Sequence, residues 1–162
     1  MIYGYKCFNE GLVNRYGVSY QVGKIYNCEG NVKFGINGNG FHMCLNLEDT
    51  LRFFDSFNEK ISICEVIGFG EQVLRNDEYN AYYDMYACSG IYIVKEMARE
   101  EIITYGLNLS EMRLIRFISS LKLTDLEKET FRNKFSNNEL VNKYIDYYQD
   151  NIKTAFSRKL KK

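Results

Sequence analysis

The chain has 162 residues, of which 46% are hydrophobic and 26% are charged, and its 21 Lys and Arg balance its 21 Asp and Glu. This composition is typical of a globular protein and excludes a disordered tail, a collagen-like repeat and a low-complexity array. No window of 18 residues lacks a charge, and the first six residues contain neither a basic region nor an apolar run. We therefore expect no membrane span and no signal peptide, and we expect a cytoplasmic location.

Charge and glycine are unevenly distributed along the chain. Residues 1–98 carry 8 Lys and Arg against 12 Asp and Glu, a net charge of −4, whereas residues 99–162 carry 13 and 9, a net charge of +4. Eleven of the twelve glycines lie in residues 1–98. Because glycine marks tight turns, we predict an α+β body over residues 1–98 and a helical C-terminal subdomain over residues 99–162.

The body is predicted to contain a small antiparallel or mixed β-sheet. Six segments have the composition of short strands: residues 2–8, 20–26, 31–35, 41–44, 60–69 and 85–94. The segments 60–69 and 85–94 are the most hydrophobic, so we place both at the centre of the sheet.

A helix is predicted directly after segment 41–44. Asn46 is suited to the N-cap position, and Asp49 occupies the third helical position. The apolar residues that follow recur at helical spacing: Leu47, Leu51, Phe54 and Phe57. This helix is expected to cover one face of the sheet, so the predicted fold class is α+β.

Four helices are predicted in the C-terminal subdomain. The first spans residues 98–105 and ends at Gly106, a residue suited to the position after a helix. Ser110 is the predicted cap of the second. The predicted apolar face of that second helix consists of Met112, Ile115, Ile118 and Leu121.

Two capping boxes mark the start of the third and fourth helices. They pair Thr124 with Glu127 and Ser136 with Glu139, so that hydroxyl and carboxylate satisfy free backbone N–H groups. The fourth helix ends in a run of cations and carries an apolar stripe of Leu140, Val141, Tyr144, Ile145, Tyr148, Ile152 and Phe156. This stripe must be covered, and a homodimer through the C-terminal helix is one candidate arrangement.

The five cysteines argue against a metal or disulfide framework. They lie at positions 7, 28, 44, 64 and 88, an odd number with no Cys-x-x-Cys pair. In a cytoplasmic chain such cysteines are reduced and pack as small hydrophobic residues. We therefore predict no metal site and no cofactor.

The only histidine, His42, lies two residues before Cys44 at the exit of a glycine-rich loop. On a strand these two residues point to the same face, where they could act as base and nucleophile, with Lys6 as a further catalytic candidate. Such an enzyme also needs an oxyanion hole and a group that orients the imidazole, and the sequence locates neither. We favour the alternative, a structural pair that packs or hydrogen-bonds.

An acidic segment rich in tyrosine is the predicted partner-binding surface. It consists of Tyr79, Tyr82, Tyr83 and Tyr86 with Asp77, Glu78 and Asp84. Tyrosine is enriched at protein interfaces, and acidic groups beside aromatic rings can imitate nucleic acid and meet a basic protein surface. The alternative is a partly buried loop whose tyrosines cover the edge of the sheet.

The helical subdomain offers a second charged surface, in which Arg132, Lys134 and Lys143 are the candidate binding residues. Two short helices joined by a turn are also compatible with a helix-turn-helix. Acidic residues interrupt these cations, however, and the sequence pI is near 6.6. A solvated face of a helical bundle is therefore favoured over direct nucleic-acid binding, which stays open.

Proline and tryptophan are absent while Asn, Ile, Tyr and Lys abound, a bias typical of an AT-rich bacterium or its phage. Residues 3–97 resemble an uncharacterised family of short phage and prophage proteins. The resemblance rests on Tyr5-Lys6-x-Phe8, Tyr20-x-Val22-Gly23-Lys24-x-Tyr26, Gly40-Phe41-His42-x-Cys44-x-Asn46, Glu65-Val66 and Ile91-x-Ile93-Val94-Lys95-Glu96. It implies an origin in a mobile element and no particular reaction.

These observations favour a non-enzymatic, phage-borne protein that binds and modulates a bacterial host protein or nucleoprotein, for example as a defence inhibitor of the anti-CRISPR kind. The first alternative is a small enzyme near His42 and Cys44, either with a cysteine nucleophile or similar to an ADP-ribosyltransferase. The latter match is poor because no Ser-Thr-Ser occurs and the only Glu-x-Glu, at Glu127, lies in a predicted helix. The second alternative is a self-associating structural module.

Overall fold

The structure is a computed structural model that describes residues 1–34, 38–75 and 85–150. It divides into two compact units, Met1–Ala98 and Arg99–Lys162, called here the body and the helical unit. Sheet and helices together confirm the predicted α+β class.

Within its described residues, the body contains five antiparallel strands. They are β1 (Ile2–Asn9), β2 (Ile25–Asn27), β3 (Phe41–Cys44), β4 (Ile61–Leu74) and β5 (Met85–Glu96). β1 pairs with β4, β4 with β5, β5 with β3, and β3 with β1. These four strands therefore form a closed ring, and β2 adds to β5 outside it.

The ring closes because β4 bends and because β3 meets β1 at one point. The register of β4 against β5 shifts at Glu65 and again after Phe69. Such bulges bend and twist a strand, which allows β4 to reach both β1 and β5. On the opposite side, Tyr5 of β1 lies opposite Cys44 of β3. Lys6, which follows Tyr5, and His42, two residues before Cys44, are thereby brought together.

The core of the body is apolar and partly aromatic. Its buried members are Phe8, Leu12, Tyr20, Met43, Cys64, Val66, Cys88, Ile91 and Ile93. The ring of Tyr20 lies 5.1 Å from that of Phe8 and 4.7 Å from that of Tyr26. Of the strand predicted over residues 20–26, only the end pairs as a strand, in Ile25–Asn27. Tyr20 and Tyr26 pack on the core, whereas residues 21–25 are exposed. The strand predicted over 31–35 is reduced, in the described residues, to one bridge between Lys33 and Asn39.

The covering helix is shorter than its apolar spacing predicts. α1 (Leu47–Leu51) ends before Phe54 and Phe57, and all five of its residues are buried. The Asn46 side chain makes no bond to a backbone N–H of the helix. Its amide instead donates to the Asp49 carboxylate at 3.0 Å.

The helical unit contains α2 (Arg99–Leu107), α3 (Glu111–Ser120), α4 (Asp125–Lys134) and α5 (Glu139–Ile145), and α5 continues into a π-helical turn (Asp146–Asp150). Its fully buried side chains include Leu114, Phe117, Ile118, Phe131, Val141 and Ile145. Ile152 and Phe156, which were predicted to extend the apolar stripe of the last helix, lie outside the described residues.

One of the two predicted capping boxes is confirmed. The Glu127 N–H donates to Thr124 Oγ1 at 3.2 Å, and the Thr124 N–H donates to Glu127 Oε2 at 2.8 Å. The Arg99 guanidinium donates to both carboxylate oxygens of Glu127 and to the Lys122 carbonyl oxygen. The same carboxylate thus caps α4 and binds the first residue of α2.

The second predicted capping box is wrong. Asn138 caps α5, because its side-chain oxygen accepts from the Val141 N–H at 3.0 Å, and the helix begins two residues later than a cap at Ser136 requires. Asn is as good an N-cap as Ser, so the Ser136-to-Glu139 spacing competed with an equivalent local signal.

One further prediction fails in α2, and another is only partly correct in α3. Gly106 lies inside α2 rather than after it, and it is buried against the ring of Phe117. Ile118 and Leu121 are buried, as the predicted apolar face of α3 requires, but Met112 is 69% exposed. Leu114 and Phe117 complete the buried face instead, so this face is rotated from the predicted one toward the close approach that Gly106 permits to Phe117.

Candidate functional site

A broad cleft of about 1290 Å³ opens on the body beside β3. Its lining comes from β1, β3, the start of β5, the end of β4, the turn after α1 and the segments around residues 14–16 and 32–34. His42, Cys44 and Lys6, the three catalytic candidates of the sequence, all line this cleft. The ring closure described above is what brings them together.

Lys6 lies on the cleft wall with its ammonium held by the protein backbone. Its Nζ donates to the His42 carbonyl oxygen at 2.6 Å and lies 5.5 Å from the centre of the Phe8 ring. Burial lowers the pKa of Lys6 from 10.5 to about 8, and the charge of Arg15 adds to this effect while the nearby thiols of Cys44 and Cys7 oppose it. Lys6 therefore bears its charge at neutral pH in a partly desolvated position.

Arg15 is presented by a tight loop. Asn14 Oδ1 accepts from the N–H groups of Tyr16 and Val18, both at 2.9 Å, which closes the turn that carries Arg15. The Arg15 guanidinium donates to the Phe53 carbonyl oxygen and lies 5.6 Å from the centre of the Phe54 ring. A guanidinium has five N–H donors, so this bond fixes Arg15 and leaves donors for a ligand.

Aromatic rings line the cleft beside these cations. The ring centre of Phe34 lies 4.9 Å from that of the His42 imidazole, and the two planes are tilted by 30°. His42 is exposed and Phe34 is half-buried. The pair therefore presents aromatic surface to the cleft.

The described lining of the cleft is cationic. It includes Lys6, Arg15, Lys33 and Arg75, and none of the described lining residues is Asp or Glu. This local charge contrasts with the net charge of −4 carried by residues 1–98. The cleft thus offers an anion several donors in an otherwise acidic body.

Four of the five thiols of the body are buried and lack the properties of a nucleophile. Cys44 is 2% exposed although it lines the cleft. Burial raises the pKa of the Cys7 and Cys88 thiols and raises that of Cys64 to about 12. Thiolates are the reactive form, and catalytic cysteines lie where cations lower the thiol pKa and a substrate has access. Because Cys44 is buried, we favour the interpretation that His42 and Cys44 on β3 are a structural pair rather than a base and a nucleophile.

Most of the predicted tyrosine-rich surface, namely Asp77, Glu78, Tyr79, Tyr82, Tyr83 and Asp84, lies outside the described residues. Its last member, Tyr86, is half-buried on β5 opposite Met43 and packs against the core. The partner-binding role of this surface stays a prediction.

The candidate cations of the helical unit are placed on its surface. Arg132 donates to Asp146 at 2.7 Å and to Asp150 at 3.1 Å, so two carboxylates compensate its charge. The ammonium of Lys134 lies 5.9 Å from the Phe135 ring centre, and Lys143 is exposed in the last turn of α5. Nucleic-acid binding and self-association through this unit both stay predictions.

The sequence reasoning missed the other components of the cleft. Arg15, Lys33 and Arg75 belong to no motif, and Phe34 gives no signal of its own because its partner His42 is eight residues away. In the described residues, no group of three or more His, Cys, Asp or Glu side chains is arranged to hold a metal ion. No helix in the described part of the chain combines the length and apolar character that a membrane crossing requires.

The body and its cleft lie in a recognised domain. Residues 2–105 match the model of a domain of unknown function, DUF7666, so the chain belongs to that family. This agrees with the resemblance of residues 3–97 to an uncharacterised family. No curated protein and no solved structure matches the chain.

The environment of His42 predicts an unusual titration. Desolvation, followed by repulsion from Lys6, Arg75 and Arg15, lowers its pKa from 6.5 to about 4. Because His42 is the only histidine, its C2 proton gives one resolved signal in a ¹H NMR titration, and we expect a midpoint near pH 4. The unfolded chain takes up this proton first as the pH falls from about 6.5 to 4, so the group lowers folding stability across that window. A midpoint at or above 6.5 would contradict the cationic environment.

Proposed function

We propose that this protein is a phage-borne cytoplasmic protein that binds and modulates, most simply by inhibition, a bacterial host protein or nucleoprotein, in the manner of an anti-CRISPR protein. The cleft of the body is the proposed binding site, and the partner supplies an anionic group. The observation that carries this proposal is the cationic lining, with no Asp or Glu among its described residues. The abundance of Asn, Ile, Tyr and Lys, a bias typical of AT-rich bacteria and their phages, is compatible with the phage origin.

Binding is favoured over cysteine catalysis on chemical grounds. The Cys44 side chain is 2% exposed, so a substrate cannot reach its sulfur without displacement of the wall. The depressed pKa of His42 makes its imidazole a weak base, since proton affinity falls with pKa. The fixed position of Arg15, by contrast, is suited to recognition because a preorganised donor loses little freedom on binding.

The test is capture of partners from a bacterial host lysate with the tagged full chain, with and without nuclease. We expect Arg15→Gln and Lys33→Gln to weaken capture at least about tenfold, roughly 1.4 kcal/mol, because each removes one charge from the cleft. The matched control is Lys24→Gln, which removes an exposed cation outside the cleft lining and should leave capture unchanged. Thermal unfolding of each variant verifies that the body is folded.

A second arm replaces Tyr79, Tyr82 and Tyr83 with Ser. Loss of the partner in this variant, with full retention in Arg15→Gln and Lys33→Gln, would place the interface on the tyrosine-rich segment and contradict the cleft. Loss of capture after nuclease treatment would identify the partner as a nucleoprotein held through its nucleic acid.

A further inference from the structure

We propose that the cleft of the body is a nucleotide site, in which the cationic side chains hold the phosphate and the ring pair of Phe34 and His42 stacks on the base. This inference rests on the proposed function, because it names the anionic group that the cleft takes. A nucleotide combines an anionic phosphate with a flat aromatic base. The cleft lining offers a binding group for each, namely cations for the phosphate and aromatic rings for the base.

The cations of the cleft are the groups that would bind the phosphate. Arg15 is fixed by its bond to the Phe53 carbonyl oxygen, and a guanidinium binds phosphate through two parallel N–H donors. Lys33 and Arg75 line the same cleft. None of its described lining residues carries a carboxylate that would repel the phosphate.

The aromatic pair of Phe34 and His42 is the part of the cleft that would bind the base. The ring centres of Phe34 and His42 lie 4.9 Å apart with their planes tilted by 30°, and His42 is exposed toward solvent. The lowered pKa of His42 leaves its imidazole uncharged at neutral pH, so it presents a neutral ring. Aromatic side chains of this kind stack on bases without regard to base identity. The rings of Phe53 and Phe54 are less suited to a base, because the Arg15 guanidinium already lies within 5.9 Å of both ring centres.

The charge of the body favours one nucleotide over a long nucleic acid. The cleft of about 1290 Å³ is larger than common ligand clefts of about 300–1,000 Å³, so it has room for one nucleotide. Binding along a polymer requires a continuous basic surface, whereas residues 1–98 carry a net charge of −4. The same chemistry has two sources: a free nucleotide, or the terminal nucleotide of a nucleic acid within a host nucleoprotein.

The experiment titrates the full chain with the four ribonucleoside monophosphates, and with inorganic phosphate and adenosine alone, by calorimetry and by the His42 C2 proton signal. We expect at least one monophosphate to bind ten times or more tighter than phosphate or adenosine. We also expect the bound phosphate to raise the pKa of His42, because it offsets the repulsion from Lys6, Arg15 and Arg75. Arg15→Gln and Phe34→Ala should each weaken binding at least tenfold, whereas Lys24→Gln should not.

A 5′-phosphorylated single-stranded oligonucleotide distinguishes the two sources. If the oligonucleotide binds as tightly as the monophosphate, and Arg15→Gln weakens both equally, the ligand is the terminus of a nucleic acid. If the oligonucleotide does not bind, the ligand is a free nucleotide. Equal affinity for phosphate and the monophosphates would overturn the nucleotide site and leave only an anion site. If no monophosphate binds while Arg15→Gln still abolishes partner capture, the nucleotide inference fails and the proposed function stands. If Arg15→Gln affects neither readout, both fail.

Discussion

Replacement of Phe117 by Ala is expected to lower the free energy of unfolding by about 3–5 kcal/mol. Phe117 is 0% exposed at the centre of the helical unit, and its ring centre lies 6.0 Å from that of Phe131. A Cβ on Gly106 would lie only 2.5 Å from the Phe117 ring, so α2 approaches this ring as closely as a glycine permits. Truncation leaves a cavity that neighbouring helices cannot fill without moving, and lost contacts add to the lost burial.

Urea denaturation of the full chain, followed by far-UV circular dichroism, measures this loss. The control is Met112→Ala on the same helix, which should change stability by less than about 0.5 kcal/mol because Met112 is 69% exposed. Phe117→Leu should recover part of the loss. If Phe117→Ala and Met112→Ala lowered the free energy of unfolding by similar amounts, Met112 would belong to the buried face of α3, as helical spacing predicts. That result would contradict the rotated face.

Gly4→Ala is expected to destabilise the body by about 1–3 kcal/mol or more, although it adds a single methyl group. Gly4 is buried on β1, where an added Cβ would clash with the Cys44 carbonyl oxygen and lie 2.7 Å from Met43 Cε. The side chain of Met43 can move, but the carbonyl of Cys44 belongs to the strand that closes the ring. The substitution therefore forces β1 and β3 apart where Tyr5 faces Cys44.

The functional consequence separates this effect from a general loss of stability. Separation of β1 and β3 lengthens the bond from Lys6 to the His42 carbonyl oxygen, so the NMR signal of His42 should shift in the folded variant. Gly11→Asn is the control, since nothing lies within 4 Å of a Cβ there and Asn tolerates the positive φ of +77°. An unchanged His42 signal and a wild-type melting temperature in Gly4→Ala would show that the ring does not depend on this close approach.

Local signals in the sequence predicted much of the fold. Segment 60–69 lies in β4 except for its first residue, and segment 85–94 lies within β5, because long apolar β-rich runs have few alternatives. The Thr124 box is correct because hydroxyl and carboxylate satisfy backbone groups one turn away, within reach of a local pattern. The predicted Ser136 box is wrong because Asn138 can cap a helix equally well. The packing of α5 decides which of the two residues takes the N-cap position.

The candidate site was predicted only in part. His42 and Cys44 stand out because they are two residues apart, and Lys6 because it belongs to a recognisable strand pattern. Arg15, Lys33 and Arg75 are separated by long stretches of chain, and as isolated cations they resemble ordinary surface residues. Their meeting in one cleft follows from the pairing of β3 with both β1 and β5, which no local pattern encodes.

The sequence by itself determined the α+β class, the most hydrophobic strands and the capped start of α4, since each depends on residues a few positions apart. Only the tertiary structure decided the closure of the strand ring, the buried face of α3 and the cationic character of the cleft. Those features depend on contacts such as that of Gly106 with Phe117 and of Tyr5 with Cys44. The physical reason is that packing selects among locally equivalent choices, and the energy of packing is shared by residues distant in sequence.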